Sequence, residues 1–308
     1  MISRRFIALS VVVLLAGLGA TSLPAGTHAS SAEDLPSPAE LVRTTVANEV
    51  GAANDNSVKH MFRQDRKTPQ GSQTRIYVET RQAMAGMTIA YNAKPLTPQQ
   101  REGEVGRLAG LAGNPQQLDR KQRQEKEEAE RTLRIVKALP DAFLFDYDGS
   151  ETGTASVGRE GMRLIRLKFR PNPAYRPPSH VEDVLVGMNG FLLVDPASRR
   201  IARIDGTLFR EVSFGWGILG HLDKGGTFLV DQQDLADGSW EISRISLSLS
   251  GKILLFKSIA IKSEEVFSDF RLVPAGTTFA EGVEMLKAEQ ARLAESAPET
   301  AKAESESH

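Results

Sequence analysis

The residues that could do chemistry are few, and their spacing limits what they can do. Apart from His28 and His308 near the two ends, the histidines are His60, His180 and His221. No two of them stand close enough to form a local H-x-x-x-H ligand pair, so a three-histidine metal centre would have to be assembled from distant loops. The chain has no cysteine. That removes thiolate ligands, disulfides, a cysteine nucleophile and a lipid-bearing N-terminal cysteine together. Neither a G-x-S-x-G elbow nor a G-x-x-x-x-G-K-[ST] loop occurs. Asp146 and Asp148 are two residues apart, so they share one face of an extended segment and could act as the acid and base of a hydrolase. The wet end of a strand before Gly149 would look the same. The expectation is therefore no cofactor, no metal and no strong catalytic motif.

The second group of candidates is apolar. In Phe214-Gly215-Trp216-Gly217-Ile218-Leu219-Gly220, large apolar side chains alternate with glycine. Glycine permits a sharp bend or a close backbone approach, and the side chains between must lie against something apolar. This could be a lip lining a lipophilic cavity, or a sheet corner packed into the core. Met84 and Met87 flank Gly86, and adaptable methionines suit a greasy pocket as well as an ordinary core. The candidate cavity residues are Phe143, Phe145, Ile165, Leu167, Phe214 and Trp216.

Elements must position these residues. Phe143, Phe145 and Tyr147 alternate with Leu144, Asp146 and Asp148, and Ile165, Leu167 and Phe169 alternate with Arg166, Lys168 and Arg170. That period of two marks strands with one buried and one wet face. Further strands are expected at 190–195, 200–212, 226–233, 239–249 and 252–262. Turn residues join them, at Asp195-Pro196, Lys224-Gly225-Gly226, Asp237-Gly238 and Ser250-Gly251, as in an antiparallel meander. In 239–249 the apolar positions change phase between Ile242 and Ile245, which places a β-bulge near Ser243-Arg244. Two earlier strands are expected at 75–80 and 87–91.

Helices are announced by their caps. Ser37-Pro38-Ala39-Glu40 opens one, with Leu41, Val42, Val46 and Val50 on a buried face. Thr97-Pro98-Gln99-Gln100 and Asn114-Pro115-Gln116-Gln117 open two more, at about 98–111 and 115–138. The second is charged from Asp119 to Arg131, with acid–base pairs at the four-residue spacing, and only its last turns are apolar. Its first half is expected to face solvent or a polar partner. A last helix runs from Thr278 to about Leu293, followed by a tail at 294–308 with the composition of disorder. The fold class is thus α+β: a strongly curved antiparallel sheet, an incomplete barrel, covered on one face by helices. Residues 37–275 are expected to form one domain with a helical insertion at 98–138, and the proline-rich stretch 171–180 is a loop.

Residues 1–29 read as a cleavable secretory leader, followed by a polar segment at 30–36. Arg4 and Arg5 precede the apolar run Phe6–Ala20, and Thr27-His28-Ala29 offers a cleavage point. The run is shorter than the roughly 20 residues that span a bilayer, so a transmembrane anchor is not expected and the mature chain is placed in the periplasm or outside the cell. Losing the leader leaves 36 basic against 39 acidic residues, about −3. That near-balance gives no electrostatic case for a nucleic-acid partner.

The segment Gly190-Phe191-Leu192-Leu193-Val194-Asp195-Pro196-Ala197-Ser198-Arg199-Arg200-Ile201-Ala202-Arg203-Ile204-Asp205-Gly206 resembles the strand–turn–strand hairpin of outer-membrane lipoprotein-sorting (LolA/LolB-like) proteins. The order of elements is similar too. With Phe169-Arg170-Pro171-Asn172-Pro173 and Phe214 to Lys224, the chain looks closer still to an uncharacterised set of secreted bacterial proteins. The resemblance spans about residues 37–275 and implies an incomplete barrel that binds acyl chains under a helical lid. The insertion here is longer and more charged than a simple lid, and no position matches the family's lid-locking arginine. The leading expectation is a non-enzymatic carrier of a lipid, lipoprotein or other apolar ligand. The alternatives are a cell-envelope interaction module with a filled core, docking a protein through 115–138, and a hydrolase using Asp146 or Asp148.

Overall fold

The computed structural model describes residues 36–55, 57–214, 220–253 and 257–296. The expected leader, Trp216 and most of the tail lie outside the described residues, as does the side chain of Phe214. In chain order the elements are α1 (Pro38–Asn54), β1 (Lys59–Thr68), β2 (Gly71–Val78), β3 (Ala85–Tyr91), β4 (Lys94–Pro95), α2 (Pro98–Ala112) and α3 (Pro115–Ala142). There follow β5 (Phe143–Thr152), β6 (Arg163–Pro171), a 3-10 turn at Asp183–Gly187, β7 (Met188–Asp195), β8 (Arg200–Leu208), β9 (Val212–Phe214) and β10 (Gly220–Leu222). The chain closes with β11 (Thr227–Asp234), β12 (Trp240–Ile253), β13 (Lys257–Val273) and α4 (Phe279–Ser296). The result is an α+β protein built on curved, open, antiparallel sheet.

The caps form as the sequence implies. Ser37 Oγ accepts from the Glu40 N–H at 3.3 Å, and Thr97 and Gln100 make both bonds of a capping box. Thr278 and Glu281 bond reciprocally at the start of α4, at 3.3 and 2.7 Å. Each satisfies N–H groups that the first helical turn leaves without partners. Helix α3 runs on to Ala142 through Pro140 rather than stopping near 138. In the last turn a proline forfeits a single intrahelical bond, so the helix tolerates it.

The chain divides into two compact units: one holds α1 and Glu125–Val266, the other Ser57–Gln124 and the chain from Phe267. In the first unit the strand order is β13-β12-β11-β8-β7-β6-β5, with β10 pairing both β12 and β9. Leu41, Val42 and Val46 of α1 and Leu133, Val136 and Leu139 of α3 pack with Phe143, Leu167, Phe169, Leu192 and Leu249 in one apolar core. Leu164, Leu193 and Ala202 alternate with those strand positions and join Val157 and Trp240 in a smaller cluster. The bulge is where it was expected. Ile242 and Ile245, three residues apart, stand opposite Gln232 and Val230, two apart, so Ser243 is the extra residue.

Two expectations about the strands are corrected. Ser250 and Gly251 are not a turn: they lie inside β12, paired with Ala260 and Ile259. Glycine is needed there for close approach, since a Cβ at 251 would fall 2.0 Å from the His221 carbonyl oxygen. Strand β13 also continues to Val273, well past 262.

In the second unit the order is β4-β3-β2-β1-β13, using the Phe267–Val273 half of β13. Its core joins Met61, Ile76, Val78 and Met87 to Leu108 of α2 and Phe279, Val283 and Leu286 of α4. Strand β1 was not legible in the sequence. Its Arg63-Gln64-Asp65-Arg66-Lys67 stretch puts polar side chains on both faces and erases the period of two.

Candidate functional site

The first unit encloses an apolar cavity of about 80 Å³ between α3 and the sheet. Ile135, Val136 and Leu139 of α3 form its roof; Phe143 and Phe145 of β5, Phe169 of β6 and Leu192 of β7 line one side, and Phe228, Leu247 and Leu249 of β11 and β12 the other. Val184, Leu185 and Met188, in and after the 3-10 turn, complete it. The polar side chains at the cavity, Glu128, Arg131 and Thr132, all come from one stretch of α3. Arg131 lies 3.7 Å from Glu127. Ile135, Ile204 and Phe228 are only half-buried.

Helix α3 can roof this space because its buried residues Glu125, Ala129, Thr132, Leu133, Val136 and Leu139 recur at three- and four-residue steps. The buried stripe therefore begins two turns before Leu133, where the sequence showed only charge. The three phenylalanines form one cluster: Phe143 and Phe169 have centroids 4.6 Å apart, and Phe145 lies 6.2 Å from Phe143.

The candidate residues separate as follows. Phe143 and Phe145 line the cavity, whereas Ile165 and Leu167 are buried in the core around it. Leu192, Leu247 and the 3-10 turn were not singled out as cavity residues from sequence; the alternation in 245–249 carried the signal for Leu247, whereas Leu192 lies in the continuous apolar run Phe191–Val194. Asp146 and Asp148 are exposed on the wet face of β5. Asp148 pairs with Arg166 at 2.9 Å and Asp146 approaches Arg170 at 3.8 Å, so each answers a cation on β6.

Among the described residues no two of the three histidines share a group of ligand-type side chains. His60 is buried, and its backbone N–H donates to Glu79 at 2.9 Å. His180 contacts Asp183 at 2.9 Å. His221 contacts Asp223 at 3.4 Å, with Glu211 completing a set whose ligand-type atoms lie within 4.8 Å. Glu211 is exposed, and Lys252 stands in register with His221. Exposed acidic groups of this kind need no ion, and these groups read as a solvated hairpin end.

The second unit has a larger, more polar cavity of about 560 Å³ beneath the end of α4. Glu289 lies at its wall, its side chain 9 % exposed, and takes hydrogen bonds from two arginines. Arg292 Nε and Nη2 donate at 3.0 and 2.7 Å, and Arg271 Nη1 donates at 3.1 Å. The guanidinium of Arg292, then that of Arg271, outweigh burial and hold the Glu289 carboxyl down at about 2 from its ordinary 4.5. A carboxyl lowered in the folded state stabilises it above the unfolded value, and the benefit fades as pH falls from 4.5 to about 2. Glu289→Gln is therefore expected to be less stable than wild type at pH 7 and to match it near pH 2. Urea midpoints of both proteins across that range check this; a gap that does not narrow on acidification refutes it.

No protein-family model matches this chain, and no curated protein matches it. Among solved structures it is similar to a DUF1329 family protein from Desulfovibrio piger, at 8 % identity over 76 % of this chain and 93 % of that one, with a TM-score of 0.24.

Proposed function

We propose that the first unit binds an apolar chain between α3 and its sheet, and that the protein is a non-enzymatic carrier or binder of a lipid, a lipoprotein or another apolar ligand, exported to the periplasm or the medium. The observation that supports this is a cavity with almost wholly apolar walls whose polar groups are gathered on one stretch of α3. Such an arrangement suits a ligand with an apolar body and one polar end. The lipoprotein-sorting resemblance of the Gly190–Gly206 hairpin and the secretory leader at 1–29 agree with it. The cavity is smaller than the roughly 300–1,000 Å³ of ordinary ligand pockets, so α3 must give way for a chain to enter. The half-buried Ile135, Ile204 and Phe228 mark the seam where it would.

One observation favours a second reading. A space of about 80 Å³ is also what a filled core with one packing defect leaves, as in an envelope interaction module docking through 115–138. Native mass spectrometry of protein from its host's envelope separates the two. The carrier reading expects a mass matching cleavage after Ala29 and a co-purifying apolar ligand. Leu247→Phe fills the space. It is expected to abolish uptake of a fluorescent fatty acid while the melting temperature holds or rises. A ligand-free wild type that takes up no fatty acid sinks the carrier reading.

A further inference from the structure

In the second unit the sheet ends without a full strand. The last strand, β4, is two residues long and pairs with Ala90 and Tyr91 of β3. Just before them the Leu96 N–H donates to the Ile89 carbonyl at 3.1 Å. The Gly86–Thr88 stretch of β3 pairs with β2 on one side and, among the described residues, has no strand on the other. A strand edge of this kind offers backbone donors and acceptors to any chain able to pair with it.

Two side chains of α2 occupy that edge. Glu104 Oε2 accepts from the Thr88 N–H at 2.9 Å, and Arg107 Nη2 donates to the Gly86 carbonyl at 2.8 Å. The two are also locked to each other, because Arg107 Nε and Nη2 donate to Glu104 Oε1 and Oε2 at 3.1 and 2.9 Å. One acceptor and one donor, held as a unit, thus meet the N–H and the C=O on either side of Met87. A single residue of a neighbouring parallel strand would offer the same two groups. The three-residue spacing puts both side chains on one face of α2, and Leu108, 1 % exposed, fixes that helix in the core. Burial pushes the Glu104 carboxyl up, but the bonds from Arg107 and the Thr88 N–H outweigh it and hold it below its ordinary value. It therefore stays an ionised acceptor.

The edge so filled is self-complementary. In a second copy related by a two-fold axis at Met87, each Thr88 N–H would face the other copy's Gly86 carbonyl, as in an antiparallel pair. Glu104 and Arg107 occupy the two groups that such a copy needs.

We propose that the Glu104–Arg107 pair stands in for a strand on the β3 edge and so keeps two copies of this chain from joining through it. This role lies in the second unit and is independent of the carrier reading.

The test is sedimentation of the full chain over a wide range of concentration, with hydrogen exchange at the Thr88 amide followed on the same samples. Glu104→Ala with Arg107→Ala should self-associate about tenfold or more tightly than wild type, since the freed backbone groups can then bond between copies. In dilute samples of that variant the Thr88 amide should exchange about tenfold or more faster than in wild type, and it should slow again as the dimer forms. Glu104→Gln with Arg107→Lys keeps an acceptor and a donor at the edge and should behave as wild type. Arg107→Ala alone, at a side chain 43 % exposed, frees the Gly86 carbonyl and carries the test if the double alanine variant does not fold. A purely structural pair predicts lower stability with no change in association. An alanine variant that associates no more than wild type overturns the proposal, whatever its melting temperature. So does association that leaves Thr88 exchange unslowed, or a Gln–Lys variant that associates as tightly as the alanine one.

Discussion

Glu49→Ala is expected to lower stability by about 3–5 kcal/mol, a large share of the total for a domain. Glu49 lies on the buried face of α1, 1 % exposed. Its carboxylate takes two bonds from Arg200 of β8, at 2.9 and 3.1 Å, and a third from the Ile201 N–H at 2.8 Å. Arg200 is itself buried and lies 5.5 Å from the Trp240 ring. Removing the carboxylate strands a guanidinium and a backbone N–H in the dry interior, and that desolvation, not the lost attraction, sets the cost. The double variant Glu49→Leu with Arg200→Met should recover most of the loss, since neither charge is then left alone. Urea unfolding of the three proteins measures both effects. A loss under about 1 kcal/mol in the single variant would mean that water reaches the pair.

Phe169→Ala should cost a comparable ~3–5 kcal/mol by the ordinary penalty for deleting a buried ring. Phe169 is 2 % exposed, packs against Phe143 and Phe145, and lines the cavity of the first unit. Its removal therefore does two things at once. It forfeits burial, and it enlarges the existing space. If that space takes up acyl chains, fatty-acid affinity should hold or rise while the melting temperature falls, and a saturating fatty acid should restore part of the loss by mass action. If the space is only a packing defect, the fatty acid leaves the melting temperature of the variant unchanged. The two readings of the first unit are thus separated in a protein whose stability change is the same under both.

Much of the architecture could be read from the chain. The caps at Ser37, Thr97, Asn114 and Thr278, the meander from Phe143 onward and the bulge at Ser243 are local patterns, and local patterns survive translation into structure. Alternation alone commits Phe143, Phe145, Ile165 and Leu167 to one buried face. Three things could not be read. The polar strand β1 has no period to detect. The buried stripe of α3 reaches back to Glu125, Ala129 and Thr132, residues whose types are equally at home in solvent. The anchoring of α1 to β8 joins Glu49 and Arg200, 151 positions apart, and nothing near either residue marks it as buried.

The sequence by itself determined the capped helix starts, the alternating strands from Phe143 onward and the apolar side of each, because those depend on residues within a few positions of one another. Only the tertiary structure decided which apolar faces meet, how much space remains between them, and which charges share a partner. Cavity size depends on how side chains from five or more distant segments interdigitate, and no spacing along the chain encodes it. The same holds for Arg271 and Arg292: one carboxylate answers two guanidiniums because β13 and the end of α4 come together, and that happens only once the chain has folded.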